Sequence, residues 1–439
     1  MKKVVKFGGS SLADAKQFRK VGAIIHSDPS RAYVVVSAPG KRFDGDVKVT
    51  DLLYECCEKA EKGESFQDPF TDIKSRYKEI ITGLNLDLSL DEDFDTIAEN
   101  LKTKPNRDYI ASRGEYLNGK VMAAFLGFSF VDAKEIIAFD EEGNLDEETT
   151  EELIQDKLST VDYAVIPGFY GRGKDGSVTT FSRGGSDITG SVVAAGCHAD
   201  VYENWTDVSG FMVADPKIVT DPAPIRTVTY QELRELSYMG AVVMHEDAVF
   251  PVRRKGIPIN IRNTNRPEDE GTWIVESTCQ KSGYTITGIA GKKDFCTVLI
   301  SKEMMNSDVG FSRKVLQAFE ENGISIEHVP TGVDTMTVVV HESEFADKEQ
   351  SVVAAIRRLA DPDSIDIESD TALIAVVGRG MKSARGTSWR IFSALAHAHI
   401  NVTMIDQGSS EINIIIGVEN KDYEKAIRAI YAVFVDTQF

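Results

Sequence analysis

Three short segments carry residue types that could do chemistry together. Lys6-Phe7-Gly8-Gly9-Ser10 sets a cation beside a run of backbone N–H groups that no Cβ shields. Glycines let the chain approach an oxyanion, a following helix start adds a favourable dipole, and Lys6 supplies a point charge for a phosphate. A plain tight turn with a surface lysine would use the same residues. Ser182-Arg183-Gly184-Gly185-Ser186-Asp187 offers a guanidinium for a carboxylate, more bare amides, and a carboxylate for a metal or for orienting a neighbour. Its blander use is an N-cap, with Ser186 or Asp187 capping the helix that follows, and capping is compatible with ligand binding. Ser112-Arg113-Gly114-Glu115 is weaker alone, since Glu115 also reads as a helix-start residue facing the macrodipole. Two glycine loops in one parallel-sheet domain favour a phosphate site.

Strands and helices must hold these loops. Val4 to Phe7 is a β-rich run, a helical stretch follows from about Ala13 to Ile25, and the apolar run Tyr33 to Ser37 predicts a second buried strand. Strand, helix, strand at this spacing predicts a βαβ unit and a parallel sheet. The stretch after Thr50 reads as mostly helical and polar, with the acidic run Asp87 to Asp95 as a solvated face or loop. Further strands are expected at Tyr163–Pro167, Ala199–Glu203 and, as the last of the sheet, Ile257–Ile261. A hairpin turning at Lys174-Asp175-Gly176, a small-residue helix from Ile188 to Gly196 and Pro-bearing loops from Asp215 to Pro224 lie between them. Composition turns polar from Asn263 to Gly271, and Gln280 to Gly283 reads as a linker.

The tail repeats itself without a gap at an offset of 76 residues. Met305 falls on Met381, Gly310 on Gly386, Val315 on Ile391, Phe319 on Leu395 and Gly332 on Gly408. Phe311, Val315 and Phe319 mark one face of a helix. Two βαββαβ copies in tandem imply two small domains of one kind. A matched pair without evident catalytic residues is suited to sensing or assembly.

Composition bounds the rest. The chain has 439 residues, and 49 Lys and Arg against 69 Asp and Glu leave a net charge of −20. Nucleic acid and anionic membranes would repel it, so neither is expected as a partner. No apolar run approaches the ~18 residues of a membrane helix. The start lacks the apolar core of a secretory signal, and five cysteines without a C-x-x-C pair fit a reducing compartment, so a cytoplasmic enzyme is expected. No G-x-x-x-x-G-K-[ST], H-R-D or D-F-G occurs, and His245-Glu246 lacks the second His of a zinc-protease helix. The G-x-G-x-x-G at Gly171 to Gly176 precedes the strand-like Ser177–Phe181, so it reads as a hairpin and not a dinucleotide loop.

With these segments assembled, the sequence resembles the aspartokinases of the amino-acid kinase superfamily. The resemblance rests on Lys6 to Ser11, Ser112 to Glu115, Gly168-Phe169, Phe181 to Asp187, Thr206-Asp207-Val208, Ala214 to Lys217, and Gln407 to Asn413 in the second repeat. It runs from Val4 to about Phe434. It implies an α/β amino-acid-kinase fold, with a mainly parallel central sheet and helices on both faces, over residues 1–280. Two α+β ferredoxin-like ACT domains would follow at 285–370 and 371–439, in tandem or with one inserted in the other. It implies transfer of the ATP γ-phosphoryl group, with Mg2+, to the side-chain carboxylate of L-aspartate, entering lysine, threonine and methionine synthesis. A carboxylate is already an anion, so the absence of a base constellation is expected.

Carried over by motif, Lys6 and Asp187 are the catalytic pair. Gly8, Gly9, Ser10, Thr206, Asp207, Met212 and Lys217 join Lys6 around ATP. Thr50, Glu115, Arg183, Gly184, Gly185 and Ser186 hold aspartate, with Arg183 on the α-carboxylate and Glu115 on the ammonium group. No protein metal site is implied, Mg2+ arriving with ATP. Val242 stands where many relatives carry a nucleotide-contacting Lys, so another cation, Lys217 or one from Arg253 to Lys255, is expected to substitute. An effector such as lysine or threonine would meet Met305, Asp308, Gly310, Phe311, Ser312, Ser325, Ile326 and Glu327, and the ACT domains would pair subunits into a dimer or tetramer. Two other readings stay open here: a kinase of the same fold for glutamate, acetylglutamate, carbamate or UMP, and a non-catalytic amino-acid sensor.

Overall fold

The computed structural model describes residues 1–182, 184–241, 244, 246–278 and 283–436. The readings placed on Arg183, Val242 and His245 therefore lie outside the described residues. The chain divides into two compact units. The first comprises Met1–Phe211, Pro224–Tyr230 and Val243–Thr278, and the second Met212–Ala223, Gln231–Val242 and Cys279–Phe439.

The first unit is built on an eight-stranded sheet. Its strands in chain order are β1 (Lys3–Phe7), β2 (Arg31–Val36), β3 (Ser129–Phe130), β4 (Ala164–Pro167), β7 (Val201–Thr206), β8 (Thr227–Thr229), β9 (Ile259–Asn263) and β10 (Thr272–Val275). A hairpin of β5 (Tyr170–Arg172) and β6 (Val178–Thr180) stands apart from it. The spatial order is β3-β4-β2-β1-β7-β9-β10-β8. Every neighbour pair is parallel except β9 with β10. The strand expected to be last, around Ile257–Ile261, is followed by β10, whose Thr272-Trp273-Ile274-Val275 run is too short to stand out against its polar flank. The G-x-G-x-x-G forms the expected hairpin turn, where Gly173 N–H donates to Ser177 O at 2.9 Å.

Alternation along β1 decides which face does what. Val5 and Phe7 point into a core shared with Val34 and Val36 of β2 and with the helices Ala15–His26, Val49–Glu61, Gln67–Gly83, Asp91–Thr103 and Arg107–Leu126. Lys6 points to the opposite face, where the helix Gly185–Gly196 packs across β1, β2 and β7. The helix Ala15–His26 starts at Asp14, whose carboxylate accepts from Gln17 N–H at 2.8 Å, and it buries Phe18, Val21, Ile24 and Ile25. The helix Arg107–Leu126 starts at an Asn106 cap and ends at Gly127 in the left-handed region, φ 69°.

The second unit contains a five-stranded antiparallel sheet in the order β12-β11-β13-β15-β14. These strands are β11 (Gly288–Ser301), β12 (Thr335–His341), β13 (Ser364–Val377), β14 (Met404–Asp406) and β15 (Asn413–Glu419). The 76-residue offset is visible in the backbone: Asp294 and Asp370 both break their long strands at positive φ, 67° and 70°. Gly310 and Gly386 likewise open their helices at φ 89° and 81°. Gly288–Lys292, the first part of β11, pairs with Leu373–Val377, and Phe295–Ser301 pairs with β12. Among the described residues no helix is long and apolar enough to cross a membrane.

Candidate active site

Several of the side chains carried over by motif gather at the carboxyl ends of β1, β2 and β7, where an open parallel sheet places its ligand crevice. Lys6, 7% exposed, reaches Asp187 with Nζ 2.6 Å from Oδ1. The same Oδ1 accepts from Asn204 Nδ2 at 2.8 Å, and Asn204 comes from β7. Two strands and a helix start therefore fix one ammonium group. Gly184, at φ 59°, is the cap position of the helix Gly185–Gly196, with no side-chain cap bond. The capping use of Ser186 or Asp187 is thus not the one adopted: Asp187 turns its carboxylate to Lys6 because the buried ammonium is the stronger partner.

The glycine loop after β1 is dictated by close approach. Gly8 N–H donates to Trp205 O at 3.0 Å, and Gly40 N–H donates to Gly9 O at 2.8 Å. A Cβ on Gly9 would lie 2.8 Å from Ala38 O, and one on Gly40 would lie 2.6 Å from the Gly9 carbonyl carbon. The loops after β1 and β2 thus pack backbone against backbone. They open onto a cavity of about 600 Å3, lined among others by Gly8, Gly9, Ser10, Thr50, Glu115 and Asp207. Thr206 lines it too, and its Oγ1 donates to Asp207 Oδ1 at 3.2 Å.

Glu115 differs from its expected place. It lies inside the 20-residue helix Arg107–Leu126, 5% exposed, and not at a helix start. Oε1 accepts from Ala38 N–H at 3.0 Å, while Oε2 is buried and has no hydrogen-bond partner among the described residues. Burial pushes this carboxyl up to about 7, against the opposing pull of the Ala38 amide and the Arg113 and Lys6 charges. Arg113 is sandwiched between aromatic rings, 4.5 Å from the Tyr109 centroid and 4.3 Å from that of Tyr116.

The structure brings together Lys6, Gly8, Gly9, Ser10, Asp187, Thr206 and Asp207 with Thr50 and Glu115 at these strand ends. Ser186 and Gly185 begin the helix that carries Asp187, and Gly168 lies so near Ser186 that a Cβ would be 2.7 Å from its Oγ. Met212 and Lys217 belong to the second unit, where Lys217 N–H donates to Asp215 Oδ1 in an exposed turn. Arg253, Arg254 and Lys255 are engaged with Glu276, Glu147 and Glu151. Among the described residues no group of three or more His, Cys, Asp and Glu side chains could hold a metal.

The expected effector residues lie in the second unit. Met305, Asp308, Gly310 and Phe311 form one turn, with Asp308 N–H donating to Met305 O and Phe311 N–H to Asp308 O, both at 3.1 Å. Met305 and Phe311 belong to the first repeat's core, and Ile326 packs against it. Ser312 is exposed. Ser325 N–H donates to Glu344 Oε2 at 3.0 Å, and Glu327 N–H to Val339 O at 2.9 Å.

This arrangement has relatives. The model of the amino acid kinase family matches residues 1–263, and that of the ACT domain matches residues 374–434. The chain is 42% identical to Aspartokinase 3 of Bacillus subtilis (strain 168), over 98% of this chain and 98% of that one. The chain belongs to the aspartokinases of the amino acid kinase family. The crystal structure of Clostridium acetobutylicum aspartate kinase is 50% identical and superposes with a TM-score of 0.90, covering 99% of this chain and 100% of that one. Escherichia coli aspartokinase III, solved in complex with aspartate and ADP, shares the fold at 24% identity and a TM-score of 0.73, covering 99% of each chain.

Several residues around the candidate site of this aspartokinase carried no sequence signal. Asn204 sits mid-strand and becomes polar support only once β7 lies beside β1. Arg76 is a lone arginine in an amphipathic helix, yet its guanidinium is buried and donates to Gly40 O at 2.9 Å. The glycine at position 40, just past a strand, was the one available hint.

Proposed function

We propose that this chain transfers the γ-phosphoryl group of ATP to the side-chain carboxylate of L-aspartate. An aspartate oxygen attacks the γ-phosphorus, the bond to the β,γ-bridging oxygen breaks, and ADP leaves with that electron pair. No proton moves, so no base is required. The work is positioning and charge neutralisation. Gly8 N–H is taken by Trp205 O, so the amides of Gly9 and Ser10 cradle the phosphates beside Lys6, and Asp187 and Asn204 hold that ammonium group in place.

One observation carries the substrate class. Glu115 presents a buried acceptor without a donor among the described residues, in the same cavity as the glycine loop. An α-ammonium group supplies that donor and ionises the carboxyl, which distinguishes a free amino acid from acetylglutamate, carbamate or UMP. Mg2+ fits as an ion carried mainly by the nucleotide's phosphates, where it would neutralise their charge.

The tandem repeat makes the enzyme feedback-regulated by an end-product amino acid such as lysine or threonine. We read residues 1–280 as the catalytic domain, 285–370 as the first ACT domain and 371–439 as the second. The pairing of Gly288–Lys292 with Leu373–Val377 supports insertion of the first into the second. Pairing of ACT domains between copies gives a dimer or tetramer, and the enzyme works in the cytoplasm, in keeping with the free thiols of Cys56, Cys57, Cys197 and Cys296.

The test incubates the protein with aspartate, ATP, Mg2+ and hydroxylamine, with lysine, threonine and methionine added singly and together. Aspartyl hydroxamate is expected, diminished by an end product. No hydroxamate from aspartate, or a stronger signal from glutamate, overturns the reading.

A further inference from the structure

The cavity has a second wall that the site motifs do not include. Residues 37–48 join β2 to the helix Val49–Glu61, and in their second part, residues 40–48, Lys41, Arg42, Phe43, Asp44 and Lys48 all line the cavity. The loop is exposed but not loose. Arg76, 4% exposed, donates from Nη1 to Gly40 O at 2.9 Å and from Nη2 to the two Asp46 oxygens at 3.0 and 2.8 Å. Arg42 donates to Asp46 from Nε at 3.0 Å and to Glu79 from Nη1 at 2.9 Å. Val49 N–H closes the base of the loop on Pro39 O at 3.2 Å.

Charge is then unevenly spent. Asp187 compensates Lys6, while Asp46 and Glu79 compensate Arg42. Asp44 is the one carboxylate of the loop left on the cavity wall. Among the described residues Lys41 and Lys48 enter no ion pair. In a chain of net charge −20, two uncompensated cations on a clamped loop beside a cavity are a standing anion-binding potential. Phosphoryl transfer between two anions needs more positive charge than one paired lysine supplies.

We propose that Lys41 and Lys48 are nucleotide-binding residues, the cations that take up phosphate charge from the loop that backs Gly9. This rests on the reading of the cavity as an ATP site, and it adds residues which that reading did not name.

The experiment titrates ADP with Mg2+ into the full chain and into the Lys41→Gln/Lys48→Gln double variant by calorimetry, at low and at high salt. Each lysine is expected to contribute about three- to tenfold in affinity at low salt. The variant should show a flatter salt dependence and a KM for ATP raised in proportion. Both side chains are exposed, so the melting temperature should not move. Unchanged ADP affinity, or a loss confined to aspartate, overturns the assignment. The two readings fail separately. If the wild type makes no hydroxamate but the variant binds ADP more weakly, the reaction falls and the loop stands. If the wild type makes hydroxamate and the variant binds ADP as tightly, the loop assignment alone falls.

Discussion

Asp187 holds the Lys6 ammonium at 2.6 Å from the helix packed on the same face of the sheet, and Asn204 shares the same carboxylate oxygen at 2.8 Å. The ammonium is thereby aimed before any ligand arrives. Lys6→Met should bind nucleotide with modest loss and lower kcat by about 10²–10³-fold, since a preorganised charge is removed from the transition state. Asp187→Asn should lower kcat by less, because the ammonium remains while its aim is lost. Hydroxamate rates under saturating substrates measure both, and wild-type turnover in Lys6→Met would remove that residue from the reaction.

Glu115 makes a pH-dependent prediction. Its carboxyl, raised from the ordinary 4.5 to about 7, binds its proton more tightly folded than unfolded. The folded state therefore loses stability as pH rises between those values, by on the order of 3 kcal/mol once the group is ionised. Glu115→Gln should raise the melting temperature of the ligand-free protein at pH 8 and leave it nearly unchanged at pH 4. The same variant should raise KM for aspartate at least tenfold. Equal melting shifts at both pH values would refute the buried-carboxyl account.

Gly9 tests the backbone contact between the two loops. Alanine there would place its Cβ 2.8 Å from Ala38 O and 3.2 Å from Gly40 N, both main-chain atoms that cannot swing aside. Gly9→Ala should cost about 1–3 kcal/mol of stability and raise KM for ATP. Urea melts and steady-state kinetics read the two effects independently.

Arg76 anchors the loop of residues 40–48. Hydrogen bonds from Arg42 and the charge of Arg76 hold Asp46 well below the usual carboxylate range. That stabilisation is fully present above about pH 4 and is lost as pH falls further. Arg76→Met leaves Asp46 with the partly exposed Arg42 alone and should cost about 3–5 kcal/mol at neutral pH. Its deficit against wild type should narrow in acid. A deficit independent of pH would mean that Arg76 acts by packing only.

In the second unit, Glu232 is 1% exposed and accepts from Arg379 Nη1 at 2.8 Å, from Arg379 N–H at 2.7 Å and from Thr287 Oγ1 at 2.6 Å. Glu232→Ala removes the buried acceptor that these donors share, while the Arg379 side chain is 19% exposed, and should cost about 1–3 kcal/mol, read as a lower urea midpoint.

Much of this was legible from local pattern. The β-rich run Val4–Phe7 and the apolar run Tyr33–Ser37 became adjacent parallel strands, since a helix between two such runs returns the chain in the same direction and a parallel sheet is covered on both faces. The 76-residue offset became two matched halves of one antiparallel sheet, since equal patterns bury equal faces. Glu115 was legible as a residue and misread as a position: the polar and apolar residues of Arg107–Leu126 are both buried, so no periodicity announced the helix interior.

The order of residue types along the chain by itself determined the glycine loops, the strand–helix alternation and the family to which they belong, because each depends on neighbours in sequence. Only the tertiary structure decided that Asp187 and Asn204 share Lys6, that Glu115 is buried with one oxygen unpartnered, and that Arg76 clamps the loop carrying Lys41 and Lys48. Those relationships join strands and helices far apart in the chain, and electrostatic partnership depends on separation in space and on exclusion of water.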